Sequence, residues 1–172
     1  MPTKQLTVLF TPLDGWGHIN ASQGLAEAVR DRGHRVVFAI DKSFEGKLKR
    51  FGFEEEIHSI PPDPKSDPNI NIWAEIVFKN KETFLLSPIE IVEKFCVKGF
   101  EMMYENSRKR DDQYVDIISR VRPDVIVIDS YIASPTLTNS GIPFVWLYSA
   151  APHLCLLNDK IPPGWSGRYF LK

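Results

Sequence analysis

The sequence predicts an α/β fold: a doubly wound parallel sheet with helices on both faces. Three observations carry that expectation. The runs LTVLFT (Leu6–Thr11), RVVFAI (Arg35–Ile40) and DVIVI (Asp124–Ile128) are rich in β-formers and apolar almost throughout. Strands buried on both faces read this way, whereas half-exposed strands alternate. Segments of helical period separate the runs. Up to Ile60 the order is β-α-β-α-β, which right-handed crossovers turn into half of a doubly wound sheet.

Each element follows from its residues. After the first strand comes LDGWGHIN, a glycine turn. His18–Arg32 has Ile19, Ser22, Leu25, Ala26 and Val29 at helical spacing. Arg30 and Arg32 lie in its last turn and Gly33 marks its stop. Ser43 is the expected cap of a short helix that ends at Gly52. Glu55–Ile60 is a partly polar third strand, placed at a sheet edge. Pro61–Asn69 is a proline-rich loop. Ser87-Pro88-Ile89-Glu90 combines a capping box with proline at the first helical position. Ile89, Val92, Cys96, Gly99 and Met103 then step by three and four along one helix face. Asp111 is the expected cap of a separate helix to Arg120. Pro135–Asn139 is a short helix, and IPFVWLYS supplies a fifth strand.

The excursion from Pro61 to Pro123 is long for a single crossover. It reads as an inserted wall at the carboxyl edge of the sheet, where open α/β folds bind ligands. Its aromatics and methionines suit an apolar pocket, or packing against the sheet.

Bulk properties exclude several classes. The chain has 172 residues, 43% hydrophobic and 25% charged, with a net charge of −1. Nothing in that balance draws it to nucleic acid or anionic lipid. Cys96 and Cys155 lack metal spacing and read as buried free thiols of a reducing compartment. The first apolar run is too short to span a membrane and has no small-residue cleavage site. The expectation is a cytoplasmic protein without a membrane span.

The glycine turn admits three readings. Gly15 and Gly17, with Asp41 ending the second strand, fit part of a dinucleotide fingerprint. Asn20 stands where that fingerprint needs a third glycine, and His18 stands where a pyrophosphate would lie. The turn is also consistent with a purely structural role. In the third reading the glycines expose His18 at a helix N-terminus. The positive end of a helix dipole disfavours imidazolium, which suits a general base. Asp129 is the expected partner: strands one and four are neighbours in the order 3-2-1-4-5, so His18 and Asp129 meet at the switch point. A helix cap is the plain alternative for Asp129. His34 reads as structural, His58 as solvated, and Asp14 and Asn20 as frame or cap of the turn.

Two blocks resemble the UDP-dependent glycosyltransferases, whose GT-B architecture sets two Rossmann-like domains face to face. The first is GWGHINASQGLAEAVRDRGHRVVFAI, through Gly17, His18, Ile19, Asn20, Leu25, Arg32, Gly33, His34 and Val36. The second is RPDVIVIDSYIASPTLTNSGIPFVWLYSAAP, with Asp129. Macrolide-type and arthropod or microbial members are the most similar. The resemblance implies an inverting, metal-independent transfer of sugar from UDP-sugar to a hydroxyl of a small lipophilic acceptor. His18 would be the base and Asp129 its partner. Trp16, Gly17, Trp73, Phe84, Met103, Tyr131, Tyr148 and His153 would line the acceptor site. No cofactor is implied; UDP-sugar is a co-substrate held mainly by a C-terminal domain.

That domain's signature does not occur here. The resemblance therefore implies one acceptor-binding domain over 1–172, incomplete at its C-terminus. It would be a fragment, a truncated gene product or half of a two-chain enzyme. A nonenzymatic small-molecule-binding module and an NAD-type domain are the rival readings.

Overall fold

The computed structural model describes residues 4–61 and 72–150, with side chains from residue 75 onward in the second stretch. Five parallel strands form one sheet: β1 (Thr7–Pro12), β2 (Arg35–Asp41), β3 (Glu54–His58), β4 (Val125–Asp129) and β5 (Phe144–Trp146). Their order is β3-β2-β1-β4-β5, so the doubly wound topology expected from the sequence is present. The partly polar third strand is at an edge, as expected.

The chain divides into two compact units. One comprises Met1–Ile60 and Asn106–Ser149, the other Pro61–Glu105 and Ala150–Lys172. The first unit holds the whole sheet. Helix α1 (Trp16–Asp31) covers one face, where Ile19 and Ala26 pack with Val8, Phe10, Phe38 and Val127. The other face meets Tyr114, Ile117 and Val121 of α4 (Val97–Val121) and Leu137 of α5 (Pro135–Thr138), against Leu9, Val37, Ile126 and Ile128. Adjacent strand residues thus serve opposite faces, which is why these strands are apolar without alternation. Helix α1 ends at Gly33, φ +88°, where the N–H groups of Gly33 and His34 return to the carbonyls of Arg30 and Val29. His34 Nδ1 accepts the N–H of Leu6, a structural role.

The second unit, described by itself, contains α2 (Ile72–Lys79), a 3-10 turn at Lys81–Leu85 and α3 (Pro88–Ile91). Ser87 and Glu90 form the expected capping box. A π-helical turn at Val92–Cys96 then leads into α4. None of its described side chains is buried.

Three local expectations are corrected. Asp111 does not begin a helix. No glycine or proline interrupts residues 100–122, and α4 runs straight through. The Asp111 carboxylate instead accepts the hydroxyls of Ser134 and Thr136 and the N–H of Thr136, capping α5 from a neighbouring helix. Asp41, not Ser43, caps the 3-10 turn after β2, by accepting the N–H of Ser43 at 2.9 Å. His58 is not solvated. It is 1% exposed, with its ring edge-on to Tyr114 at 5.6 Å.

Candidate functional site

Strand parity and register build the site. In β4, Val127 faces α1, so Asp129 two residues on faces α1 as well. Asp129 pairs in register with Pro12, the last residue of β1. The chain leaves β1, turns at Leu13–Gly15 and enters α1, which carries His18 in its first turn. The turn is tied back to β4, since the N–H of Leu13 donates to the Asp129 carbonyl at 2.7 Å and the N–H of Gly15 to the Leu13 carbonyl at 2.7 Å.

His18 Nδ1 lies 3.2 Å from Asp129 Oδ2, the juxtaposition argued from strand order. The imidazole is 17% exposed and the carboxylate 3%. Ser149, just beyond β5, completes the group. Its Oγ is 3.0 Å from His18 Nδ1, and its N–H donates to Asp129 Oδ1 at 3.3 Å. The Tyr131 ring meets the imidazole edge-on at 5.7 Å. Sequence reasoning did not single out Ser149. The signal was a polar residue closing the strand next to Asp129, since Ile128 and Trp146 are paired.

A second polar group occupies the opposite face of the same sheet edge. The Arg110 guanidinium pairs with the Asp14 carboxylate, and both are largely buried. Tyr114 stands nearby; burial pushes its phenol up to about 12. Burial likewise holds the His58 imidazole below the ordinary histidine value. Arg110 acts in the same direction, and Asp14 and Asp41 oppose it. Beside this group lies a cavity of about 20 Å³, lined in part by Thr11, Ser107, Arg110, Ser130 and Ser134. That is room for one water. Asp14 is therefore bound to α4, a partner that turn chemistry alone did not indicate.

The remaining candidates are placed as follows. Trp16 is half exposed and sets its ring edge-on to Phe44 at 5.2 Å. Gly17 is exposed, with nothing within 4 Å of where a Cβ would sit. Tyr148 is exposed and stacks on Trp146 at 5.9 Å. Phe84 and Met103 belong to the second unit, where Phe84 is edge-on to Phe95 at 4.8 Å. The side chains of Trp73, His153 and Cys155 lie outside the described residues. Asn20 is exposed, while Ile19 takes the contact with the sheet. Among the described residues no three His, Cys, Asp or Glu side chains gather as metal ligands, and no helix is long and apolar enough to cross a membrane.

No protein-family model matches the chain. Oleandomycin glycosyltransferase of Streptomyces antibioticus is 30% identical over 141 residues, which are 80% of this chain and 27% of that protein. Among solved structures, spinosyn rhamnosyltransferase matches with a TM-score of 0.58 and 20% identity, over 82% of this chain and 34% of its own. UGT89C1 of Arabidopsis thaliana, complexed with UDP-L-rhamnose, matches with a TM-score of 0.58 and 20% identity, over 88% and 35%. The glycotransferase of kitacinnamycin matches with a TM-score of 0.55 and 19% identity, over 83% and 30%. The chain thus spans only 27% of the curated relative, and the structural matches at these identities establish the fold.

Proposed function

We propose, from the premise that this chain is homologous over most of its length to glycosyltransferases of the GT-B architecture, that it forms the acceptor side of a sugar-transferring enzyme. The observation that carries this reading is the His18–Asp129 pair at the carboxyl edge of the sheet. Nδ1 of His18 faces the carboxylate, and Nε2 makes no hydrogen bond among the described residues. A base needs that free nitrogen, and its partner must hold the ring and balance the charge it gains.

The acceptor's hydroxyl proton passes to Nε2. Its oxygen then bonds to the anomeric carbon of the sugar as the bond to UDP breaks, inverting that carbon. Asp129 stabilises the imidazolium while the new bond forms. UGT89C1 has been seen with UDP-L-rhamnose and, in another crystal, with quercetin. A UDP-sugar donor and a small lipophilic acceptor in the cytoplasm are the corresponding proposals here. Trp16, Gly17, Tyr131 and Tyr148 are the described first-unit residues assigned to the acceptor. The donor falls to a C-terminal domain or a second chain.

The test is transfer from UDP-sugars to flavonol and macrolide acceptors, followed by product mass, with this chain joined to a donor-binding domain. His18→Ala is expected to lower kcat by about 10² or more, the usual reach of a general base. Wild-type turnover in that variant overturns the mechanism.

A further inference from the structure

His18 Nδ1 has two neighbours, and the aligned one is not the carboxylate. Ser149 Oγ lies 3.0 Å away in hydrogen-bonding geometry. Asp129 Oδ2 lies 3.2 Å away, yet takes no aligned hydrogen bond among the described residues. Ser149 also reaches the carboxylate directly, through its N–H to Oδ1. One residue three positions past β5 therefore contacts both members of the pair.

We propose that Ser149 is a positioning residue that, together with Asp129, holds the proton of His18 on Nδ1. The inference rests on the reading of His18 as a base and adds a third member to its support. A serine hydroxyl can donate or accept, so it does not choose a tautomer alone. The carboxylate breaks the tie. A bare Nδ1 lone pair facing Asp129 Oδ2 would bring two acceptors together, whereas Nδ1–H faces an acceptor. The proton therefore sits on Nδ1 and is donated to Ser149 Oγ. Nε2 is left with its lone pair free.

The two contacts of Ser149 do different work. Its N–H engages Oδ1 and leaves Oδ2 turned toward the imidazole. Its hydroxyl supplies the aligned acceptor that Oδ2 does not provide. The Tyr131 ring, edge-on at 5.7 Å, restricts the imidazole from a further side. Ser149→Ala separates the contacts, because it removes the hydroxyl and keeps the amide. Ser149→Thr restores a hydroxyl on the same Cβ.

The experiment uses the 172-residue chain labelled with ¹⁵N at histidine, with His18→Gln to assign the His18 signals. Long-range ¹H–¹⁵N spectra at about pH 8, above the usual imidazole titration, report the ratio of the two neutral tautomers. In the wild type Nδ1–H is expected to dominate. Ser149→Ala is expected to lower the ratio of Nδ1–H to Nε2–H by about 3- to 10-fold, the worth of one ordinary hydrogen bond. Ser149→Thr is expected to restore it. A wild type dominated by Nε2–H overturns the proposal, as does an unchanged ratio in an Ala variant whose amide spectrum is native. Equal losses in the Ala and Thr variants also overturn it, since packing would then explain both. Sugar transfer is not read here, so failure of the transferase reading and failure of this one are distinguishable.

Discussion

A Cβ added to Gly17 would meet no atom within 4 Å, and the residue lies in the first turn of α1 without a positive φ. The fold does not need glycine there. Gly15 is also in extended backbone, φ −158°, open to other residues. On the proposed reading, what Gly17 offers is clearance beside His18. Alanine is favoured over glycine by up to about 1 kcal/mol in a helix interior and by less in a first turn. Gly17→Ala should therefore keep or slightly raise the melting temperature. It should also cut sugar transfer by about 10-fold or more, if substrate approaches across that open side. Undiminished transfer in the alanine variant would remove Gly17 from the acceptor site. The sequence displayed Gly-x-Gly plainly but could not say why. A glycine kept for backbone conformation and one kept for clearance are written with the same letter. Ser149 was harder to read for a related reason: a serine ending a strand looks like any turn residue until its neighbour is known to be Asp129.

The turn that leads to His18 is held by a strand of the sheet and by a helix packed on its other face. Leu13 ties it to β4, and Asp14 ties it to α4 through Arg110. Arg110 is one of a series, Ser107, Arg110, Tyr114, Ile117 and Val121, that steps by three and four along the buried face of α4. A guanidinium in that row needs its counter-charge. Removing one partner of a buried pair costs about 3–5 kcal/mol when it strands a buried charge. The two halves should not be equivalent. Asp14→Asn leaves Arg110, with its side chain 8% exposed, unpaired, whereas Arg110→Met leaves Asp14, at 20%, nearer to water. Urea unfolding should show the larger loss for Asp14→Asn; the reverse order would mean that Asp14 finds no relief in solvent. The sheet order was legible because apolar runs, glycine stops and crossover handedness all point one way. The continuity of α4 was misread at Asp111, because a capping residue ends nothing unless the chain also breaks. The absence of glycine and proline from residue 100 to residue 122 was the better signal. The Arg110–Asp14 pair left no local trace, because its partners come from distant parts of the chain.

Across the molecule, the sheet edge is where charge and burial meet. The β3 strand reads EEEIH, a partly polar edge strand whose charges are engaged. Glu54 pairs with Arg35, Glu55 accepts the N–H groups of Gly46, Leu48 and Lys49, and Glu56 pairs with Arg120. His58 closes the strand beneath Tyr114, with neither ring nitrogen hydrogen-bonded among the described residues. That arrangement makes stability depend on pH with a definite sign. Burial holds the folded-state value below the ordinary one, helped by Arg110 and opposed by Asp14 and Asp41. The unfolded chain keeps the ordinary value, about 6.5. As pH falls through about 6.5, the unfolded state takes up a proton that the folded state refuses. Stability therefore drops toward acid, by up to about 1.4 kcal/mol per pH unit, until the folded-state value is reached. The wild-type slope sums over the whole chain, so it alone does not isolate His58. His58→Phe does. It keeps a ring against Tyr114 and removes two unsatisfied buried nitrogens, so it should stabilise the chain even at pH 7.5. Its advantage over the wild type should then widen between pH 7.5 and 5.5 in urea midpoints. A constant gap across that range would mean that His58 takes up its proton equally in both states, and that burial at the end of β3 does not govern its charge.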